Sequence, residues 1–385
     1  MMEAVMRQRG EGIWEMPRLD YPLLAAALVL LLVGIVMVGS ATMHRFAAAP
    51  YFFVSHHLFA VLLGLVAGVI VMRIPIDRWE RWGPLLYILG IVLLVLVLVP
   101  GVGRSVNGAQ RWISLGGFNL QSSEFMKLFV MLYLAGYLNR KHVEVATSVW
   151  GFIKPLLPVL IAAALIMLEP DMGTTVVLLF TAFGMLFLGG VPIRQYLVLF
   201  AVAIVSLGAL VIVEPYRMKR VTSFMDPFAD PLNSGYQLSN ALIAFGRGEW
   251  SGVGLGEGVQ KLFYLPEAHN DFLMAVIGEE FGLLGTVSII SLFAFISWRA
   301  FRIGVMAEKS NKRFAVYIAY GCGLWLGFQA FINIGVNLGL LPTKGLTLPL
   351  MSYGGNSIIV ACVVIAMLQR IHLEVMPKEP KRSKR

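Results

Sequence analysis

The chain has 385 residues, of which 58% are apolar and only 14% are charged, and its mean hydropathy is +0.77. Charged residues make up about a quarter of a soluble globular domain, so this composition excludes that class and indicates an integral membrane protein. The net charge of +9 does not indicate nucleic-acid binding, because most Lys and Arg residues fall in the tails and loops on one side of the predicted membrane.

Long apolar runs predict membrane-spanning helices, each of about 20 residues, and the runs do not alternate as the strands of a membrane barrel would. Ten runs have a suitable length, at 23–41, 54–72, 83–100, 121–138, 149–168, 173–190, 194–213, 271–297, 314–334 and 346–369. The predicted fold class is therefore an all-α polytopic membrane protein with ten transmembrane helices. The predicted divisions are an N-terminal tail (1–22), a membrane domain (23–369) and a basic tail (370–385).

The distribution of basic residues predicts the topology. A cytoplasmic N-terminus places 20 of the 31 Lys and Arg residues on the cytoplasmic side, so both termini are predicted to be cytoplasmic. The stretch 214–270 then forms a long periplasmic loop between the seventh and eighth spans, rich in turn residues, with a weak amphipathic helix near 236–246. A second, glycine-rich outer loop covers 101–120.

Two pairs of polar residues lie near the outer ends of the fourth to sixth spans. Glu124 and Lys127 are three residues apart and share one helix face, either as an ion pair that braces the bundle or as part of a functional cavity. Glu169 and Asp171 mark the turn between the fifth and sixth spans, where Asp171 is explained by capping the sixth helix.

The start of the eighth span, 264-YLPEAHNDFLMAVIGEEFG-282, carries five ionisable residues, which are costly within a membrane. Asp271 lies at the outer mouth of this span, as either an accessible carboxylate or the helix N-cap. At about 100° per residue, Glu279 and Glu280 point about 80° and 180° away from Asp271, so the three cannot all serve one site. At least one of the two glutamates is expected to brace the bundle, and their roles stay open.

One outer carboxylate surrounded by cations favours a particular chemistry. Glycosidases generally need two carboxylates, whereas a sugar donor with a diphosphate leaving group needs one base and positive charge to stabilise the departing anion. The cations placed on the outer side that could supply this charge are Arg111, Arg217, Lys219, Arg220 and Lys344.

Several motifs give the chain a resemblance to the SEDS family (shape, elongation, division and sporulation), on its cell-division branch rather than its elongation branch. These motifs are 110-QRWISLG-116, 121-QSSEFMKL-128, 170-PDMGT-174, 214-EPYRMKRV-221, 234-SGYQ-237, 260-QKLFYLPEAHNDF-272, 278-GEEFG-282 and 342-PTKGLTLPLMSYGG-355. The cell-division branch is indicated mainly by Tyr-Leu-Pro-Glu-Ala-His and by 245-FGRGEW-250. Two positions depart from the family pattern, Ser122, where Pro is usual, and Asn356, where Ser is usual.

The resemblance implies a peptidoglycan glycosyltransferase that polymerises lipid II, with Asp271 as general base and undecaprenyl diphosphate as leaving group. It implies that substrate is bound by Arg111, Trp112, Glu124, Lys127, Arg217, Arg220, His269, Lys344 and Ser352. No cofactor is certain, and no ligand spacing identifies a metal, although the outer acids leave room for magnesium or manganese at the diphosphate.

The same resemblance implies the location and the partners. The expected location is the cytoplasmic (inner) membrane at the division septum, with the active site on the periplasmic face. The expected partners are lipid II, a class B penicillin-binding protein, other division proteins and membrane lipid, with no nucleic acid. Two alternatives stay open, a lipid II flippase and a non-catalytic scaffold of the division machinery.

Overall fold

The computed structural model describes residues 19–44, 50–106, 109–116, 118–213, 218, 222–233, 235–343 and 345–376. Helices make up most of this part of the chain. They are α1 (Tyr21–Thr42), α2 (Phe52–Arg73), α3 (Ile76–Leu98), α4 (Ser122–Thr147), α5 (Val149–Leu168), α6 (Met172–Leu188), α7 (Ile193–Val213), α8 (Tyr236–Gly248), α9 (Leu273–Lys309), α10 (Arg313–Asn337) and α11 (Gly355–Val375).

Among the described residues, seven helices are long and apolar enough to cross a membrane: α1, α2, α3, α5, α9, α10 and α11. Helix α6, at 17 residues, is shorter than this class, and polar residues such as Glu124 and Lys127 lower the hydropathy of α4. The prediction of a helical, multi-pass membrane protein is confirmed. The ten-span count and the sidedness stay predictions.

A small sheet follows α3 and corrects the all-helical prediction. Strands β1 (Gly103–Val106), β2 (Ala109–Leu115) and β3 (Phe118–Gln121) form an antiparallel sheet in the order β1-β2-β3. On β2, Ile113 pairs with Gly103 and Leu120 and is buried, whereas its neighbours Trp112 and Ser114 are more exposed. Alternation over so few residues between glycines is a weak signal, so this stretch was predicted as a loop.

The last predicted span, 346–369, is shifted in the structure, because α11 begins only at Gly355 and continues to Val375. The preceding stretch, 345–354, has no helix, although Leu346, Leu348 and Met351 within it are buried. Apolar composition alone does not separate a buried loop from a helix, and Pro349 disfavours a regular helix here. We call residues 345–354 the buried loop.

Helix α9 is one long helix that breaks at Gly282, where φ is 63° and ψ is −155°. The break leaves backbone groups to be satisfied from elsewhere, and the segment after α8 supplies them. Leu283 N donates to Glu249 O (2.9 Å), and Val253 N donates to Glu279 O (3.0 Å). A side chain at Gly282 would approach Gly252 N to 2.5 Å, so this close packing requires glycine.

At the opposite end of the bundle, Asp20 joins the first helix to α9 and α11. Its carboxylate caps α1 at Leu23 N and accepts from Arg299 Nε (3.0 Å) on α9. Gln369 on α11 accepts from Asp20 N and donates to Asp20 O, both at 2.9 Å. The start of α1 and the end of α11 therefore lie at the same end, which agrees with the predicted placement of both termini on one side.

Candidate active site

Asp271 is a partly exposed residue at the other end of the bundle, immediately before α9. The N-cap of α9 is Phe272, with no side-chain capping bond, so helix capping does not account for Asp271. Its carboxylate faces Gly345, the first residue of the buried loop. A Cβ built on Gly345 would lie 3.0 Å from Asp271 Oδ2. Asp271 thus lies at a junction between α9 and the buried loop and is partly exposed as a residue.

Three amides on successive turns of α10 hold this junction together, and we call Gln329, Asn333 and Asn337 the amide ladder. Asn333 Nδ2 donates to Asp271 O (2.9 Å) and to Leu346 O (2.5 Å). Asn337 Nδ2 also donates to Asp271 O (2.8 Å). The ladder therefore fixes the backbone of Asp271 and the buried loop on the same helix face.

The amide ladder was missed in the sequence, although a signal for it was present. In 329-QAFINIGVN-337 the three amides recur every four residues within an otherwise apolar helix. Residues four apart share a helix face, and polar groups within a membrane helix generally point toward the protein interior. The regular spacing could have predicted an internal polar face on α10.

The predicted pair of Glu124 and Lys127 forms a buried ion pair of 3.0 Å on α4. Lys127 Nζ also donates to Gln329 Oε1 (2.9 Å) and lies 5.0 Å from the ring of Trp325. Gln329 in turn donates from Nε2 to Thr347 O (2.9 Å) in the buried loop. The pair is therefore joined to the Asp271 junction through the amide ladder and is more than an isolated brace.

Arg111 on β2 joins the sheet to the turn between α5 and α6. Its Nε donates to Glu169 O (3.1 Å) and its Nη2 to Pro170 O (2.5 Å). In the same turn Asp171 caps α6, as predicted, by accepting from Thr174 N (3.1 Å) and Thr174 Oγ1 (2.8 Å). Arg111 thus holds two carbonyl groups beside a cluster of acids.

Glu169 is fully buried in this turn and accepts one hydrogen bond, from Ser122 Oγ (3.2 Å). Among the described residues, its Oε2 atom finds no hydrogen-bond partner. Burial and, secondarily, the neighbouring Asp171 carboxylate raise the pKa of Glu169 from 4.5 to about 8. The side chain is therefore mostly protonated at neutral pH.

This raised pKa gives a prediction about stability and pH. The folded state keeps a proton that the unfolded chain releases above about pH 4.5, so the stability contribution of Glu169 is full below that pH and is lost as pH rises toward about 8. Glu169→Gln mimics the neutral acid, so its melting temperature relative to the parent should rise between pH 5 and pH 8. A difference that is the same at both pH values would contradict the prediction.

His269 and Ser352 are both buried beside the junction. The His269 ring lies 4.7 Å from Phe53 and 5.3 Å from Tyr353, and its carbonyl accepts from Tyr353 N (2.9 Å). Ser352 Oγ accepts from Leu348 N (2.9 Å) within the buried loop. These contacts stabilise the loop, and a role for either side chain in binding substrate stays a prediction.

The remaining predicted site residues divide into two groups. Trp112 is partly exposed on β2, where it pairs with Arg104 and Gln121 in the sheet next to Arg111. Arg217, Arg220 and Lys344 lie outside the described residues.

Taken together, the described residues place Asp271 at a junction that the amide ladder connects to the Glu124–Lys127 ion pair, while Arg111 and Glu169 meet at the turn between α5 and α6. This arrangement can accept a proton at Asp271 and can offer polar contacts to a substrate at the membrane surface. In the described part of the chain, no three or more His, Cys, Asp or Glu side chains are placed to hold a metal ion.

Comparisons with known proteins agree with this reading. The family model for cell cycle proteins of the FtsW, RodA and SpoVE group matches residues 21–376. The chain belongs to this family. The predicted SEDS membership, on the cell-division branch, is confirmed, because relatives of about half identical sequence are named FtsW.

Two such relatives are named probable peptidoglycan glycosyltransferase FtsW. The one from Allochromatium vinosum is 54% identical over 92% of this chain and 89% of its own length, and the one from Nitrosococcus halophilus is 53% identical over 95% and 96%. Among solved structures, a peptidoglycan synthase complex described as coordinating polymerization and crosslinking has a TM-score of 0.77, with 30% identity over 94% of this chain and 99% of that one. The rod shape determining protein RodA of Thermus thermophilus has a TM-score of 0.70, with 27% identity and the same coverage.

The two departures from the SEDS pattern both make contacts at the site end of the bundle. Ser122 donates to Glu169 Oε1, a bond that the usual proline could not supply. Asn356 Nδ2 donates to Asn119 O (2.7 Å) and so ties the start of α11 to β3. Each departure makes a hydrogen bond and removes no charge from the site.

Proposed function

We propose that this SEDS protein is a peptidoglycan glycosyltransferase that polymerises lipid II into β-1,4-linked glycan during cell division. The observation that carries the proposal is the position of Asp271, a partly exposed residue whose backbone is fixed by Asn333 and Asn337. A general base must be accessible to substrate and held in place, and this position meets both requirements.

In this proposal Asp271 takes the proton from the 4-hydroxyl of the acceptor GlcNAc as that oxygen attacks the anomeric carbon of the donor MurNAc. The carbon–oxygen bond to undecaprenyl diphosphate breaks, and the α-linked donor gives a β-linked product. The leaving diphosphate carries its own negative charge, so it needs cations rather than a proton donor. We assign that part to Arg217, Arg220 and Lys344, with Arg111, Trp112, His269 and Ser352 shaping the surrounding site.

A divalent cation at the diphosphate remains part of the proposal. Because no three acidic or histidine side chains converge among the described residues, magnesium or manganese would be held mainly by diphosphate oxygens, with one or two carboxylates. Such an ion would supply positive charge to the leaving group.

The proposed setting is the inner membrane at the division septum, with ten spans, cytoplasmic termini and a periplasmic active site. The proposed crosslinking partner is a class B penicillin-binding protein, which is supported by the similarity to a synthase complex that coordinates polymerization and crosslinking. Other division proteins and membrane lipid complete the expected partners.

A lipid II flippase is the second candidate, because it also needs buried charges in a helical bundle. A flippase requires a polar path through the whole membrane, whereas a polymerase requires polar groups near one face. Within the described residues, the buried acids Glu124, Glu169, Asp171, Glu279 and Glu280 lie toward the site end, and Asp20 lies at the other end in a pair with Arg299. This distribution favours the polymerase.

The test is polymerisation of fluorescent lipid II by the purified chain, alone and with its class B penicillin-binding protein, resolved on a gel. We expect glycan polymer that a muramidase degrades. A scaffold or flippase would leave lipid II monomeric under both conditions, and movement of lipid II across vesicles without polymer would favour the flippase.

A further inference from the structure

The segment 249–264, which follows α8, exposes several large aromatic side chains, and we call it the aromatic loop. Trp250 is 72% exposed, Phe263 70% and Tyr264 53%. A cluster of this kind on a protein surface generally marks a contact with another protein or with a membrane. The position of the loop along the bundle decides between these two.

Two contacts place the aromatic loop at one end of α1. Lys261 Nζ donates to Ser40 Oγ (2.7 Å), two residues before α1 ends, and Phe263 lies 5.4 Å from the ring of His44, just beyond it. Helix α1 has 22 residues, a length of about 33 Å, which is close to the thickness of a bilayer's hydrocarbon core. The loop therefore lies at the level of the boundary between hydrocarbon and headgroups.

The contacts of a second helix, α9, give the same level. Arg299 pairs with Asp20 at one end of α1, and Glu280 accepts from Ser40 Oγ (2.6 Å) at the other. These α9 residues are separated by a rise of roughly 28 Å, again about one hydrocarbon thickness. Tryptophan and tyrosine are enriched at this depth in membrane proteins, because their rings are amphipathic.

Several polar groups of the aromatic loop bond to α9, so the loop can lie at the boundary between hydrocarbon and headgroups. Glu279 Oε1 accepts from Val259 N (2.9 Å), and Lys261 pairs with Glu280 at 2.5 Å in a buried ion pair. Irregular backbone at membrane depth is tolerated only where the protein satisfies its hydrogen bonds. The loop meets that condition through α9.

The exposed aromatic surface is also continuous with an apolar stripe on α9. Leu284 N donates to Trp250 O (3.1 Å), and Leu284, Val287 and Ile290 are 64%, 49% and 38% exposed on the same helix. Exposed apolar residues on a spanning helix contact lipid, so the same lipid reaches Trp250.

We propose that the aromatic loop is an interfacial anchor, seated among the lipid headgroups and upper acyl chains of the leaflet at the site end. Its partner is bilayer lipid, and the loop holds the segment that leads into Asp271 at a fixed depth. The proposal depends on the membrane fold and not on the catalytic role of Asp271.

The test uses the full chain with Cys322 and Cys362 replaced by Ala, reconstituted in phosphatidylethanolamine and phosphatidylglycerol vesicles. A nitroxide is attached at Trp250→Cys, and its collisions with oxygen and with a water-soluble nickel chelate are compared by power saturation. We expect oxygen to dominate at position 250, as at a lipid-facing Ile290→Cys control. A second control, Leu232→Cys, is 82% exposed in the outer loop and should favour the nickel chelate.

A label at position 250 that behaves like the one at 232 would overturn the proposal and leave the surface in water for a protein partner. A second measurement covers the case in which the cysteine variants fold poorly. Lipids brominated near the headgroup should quench the tryptophan emission of the parent chain more than that of Trp250→Phe. Equal fractional quenching in the two chains would also overturn the proposal.

Discussion

Asp271→Asn is expected to lower the rate of glycan polymerisation by about 100- to 10,000-fold, the range for loss of a general base. Asparagine has nearly the same shape as aspartate but cannot accept a proton at neutral pH. The bonds from Asn333 and Asn337 go to the backbone carbonyl of residue 271, so they remain in the variant. The chain should therefore fold and still bind lipid II.

The measurement is the initial rate of polymer formation, together with lipid II binding by the same preparation. Glu267→Gln is the matched control, because Glu267 is a partly exposed carboxylate four residues away whose side chain accepts from Asn270 Nδ2 (3.0 Å). We expect it to keep most of the activity. Near-normal polymerisation by Asp271→Asn would show that the base is another residue, even if the chain is a polymerase.

Much of the membrane architecture was predictable from sequence, because a continuous apolar run long enough to span a bilayer is stable in lipid as a helix, which satisfies its own backbone hydrogen bonds. The amphipathic helix near 236–246 is confirmed as α8, and the cap on α6 is confirmed at Asp171. Both signals are local, since a helix face and a capping side chain depend on neighbours within one or two turns.

The errors occurred where distant segments decide the local structure. The buried loop was predicted as part of a span because it is apolar. Its backbone is instead non-helical and is held by the amide ladder on α10, which donates to Leu346 O and Thr347 O. The sheet after α3 was missed because its short strands are stabilised by pairing with each other. No single stretch of sequence contains those partners.

In the candidate site, too, local features were predictable and contacts between distant segments were not. Glu124 and Lys127 were predictable as a pair from their spacing, but their link to Asp271 passes through Gln329 and Asn333, far away in the chain. At least one of Glu279 and Glu280 was expected to brace the bundle, and the structure shows both glutamates bonded to the aromatic loop. Their bracing role therefore depends on a loop that the helical angles alone could not position.

The bracing role of Glu280 leads to the largest expected effect on stability, because its partner Lys261 has a side chain only 5% exposed and Glu280 is fully buried. Lys261→Met should lower the free energy of unfolding by about 3–5 kcal/mol, since it leaves a carboxylate buried without its counter-charge. The double variant Lys261→Met/Glu280→Gln should recover most of this loss, because it removes both charges. Denaturant titration in detergent measures all three chains against the parent.

A more exposed ion pair elsewhere in the chain serves as a control for the effect of burial. Lys154 and Glu144 form an ion pair of the same length, 2.5 Å, but their side chains are 57% and 28% exposed. Lys154→Met should therefore cost much less stability than Lys261→Met, because water screens this pair and solvates the remaining carboxylate. Equal losses from Lys261→Met and Lys154→Met would contradict the argument, since the two pairs have the same charge separation but Glu144 stays in contact with water and with a second cation, Lys141 (3.3 Å), whereas Glu280 is buried. A large loss at Lys261 that the double variant does not recover would instead assign the effect to the lysine's contacts with Ser40 and Gly256.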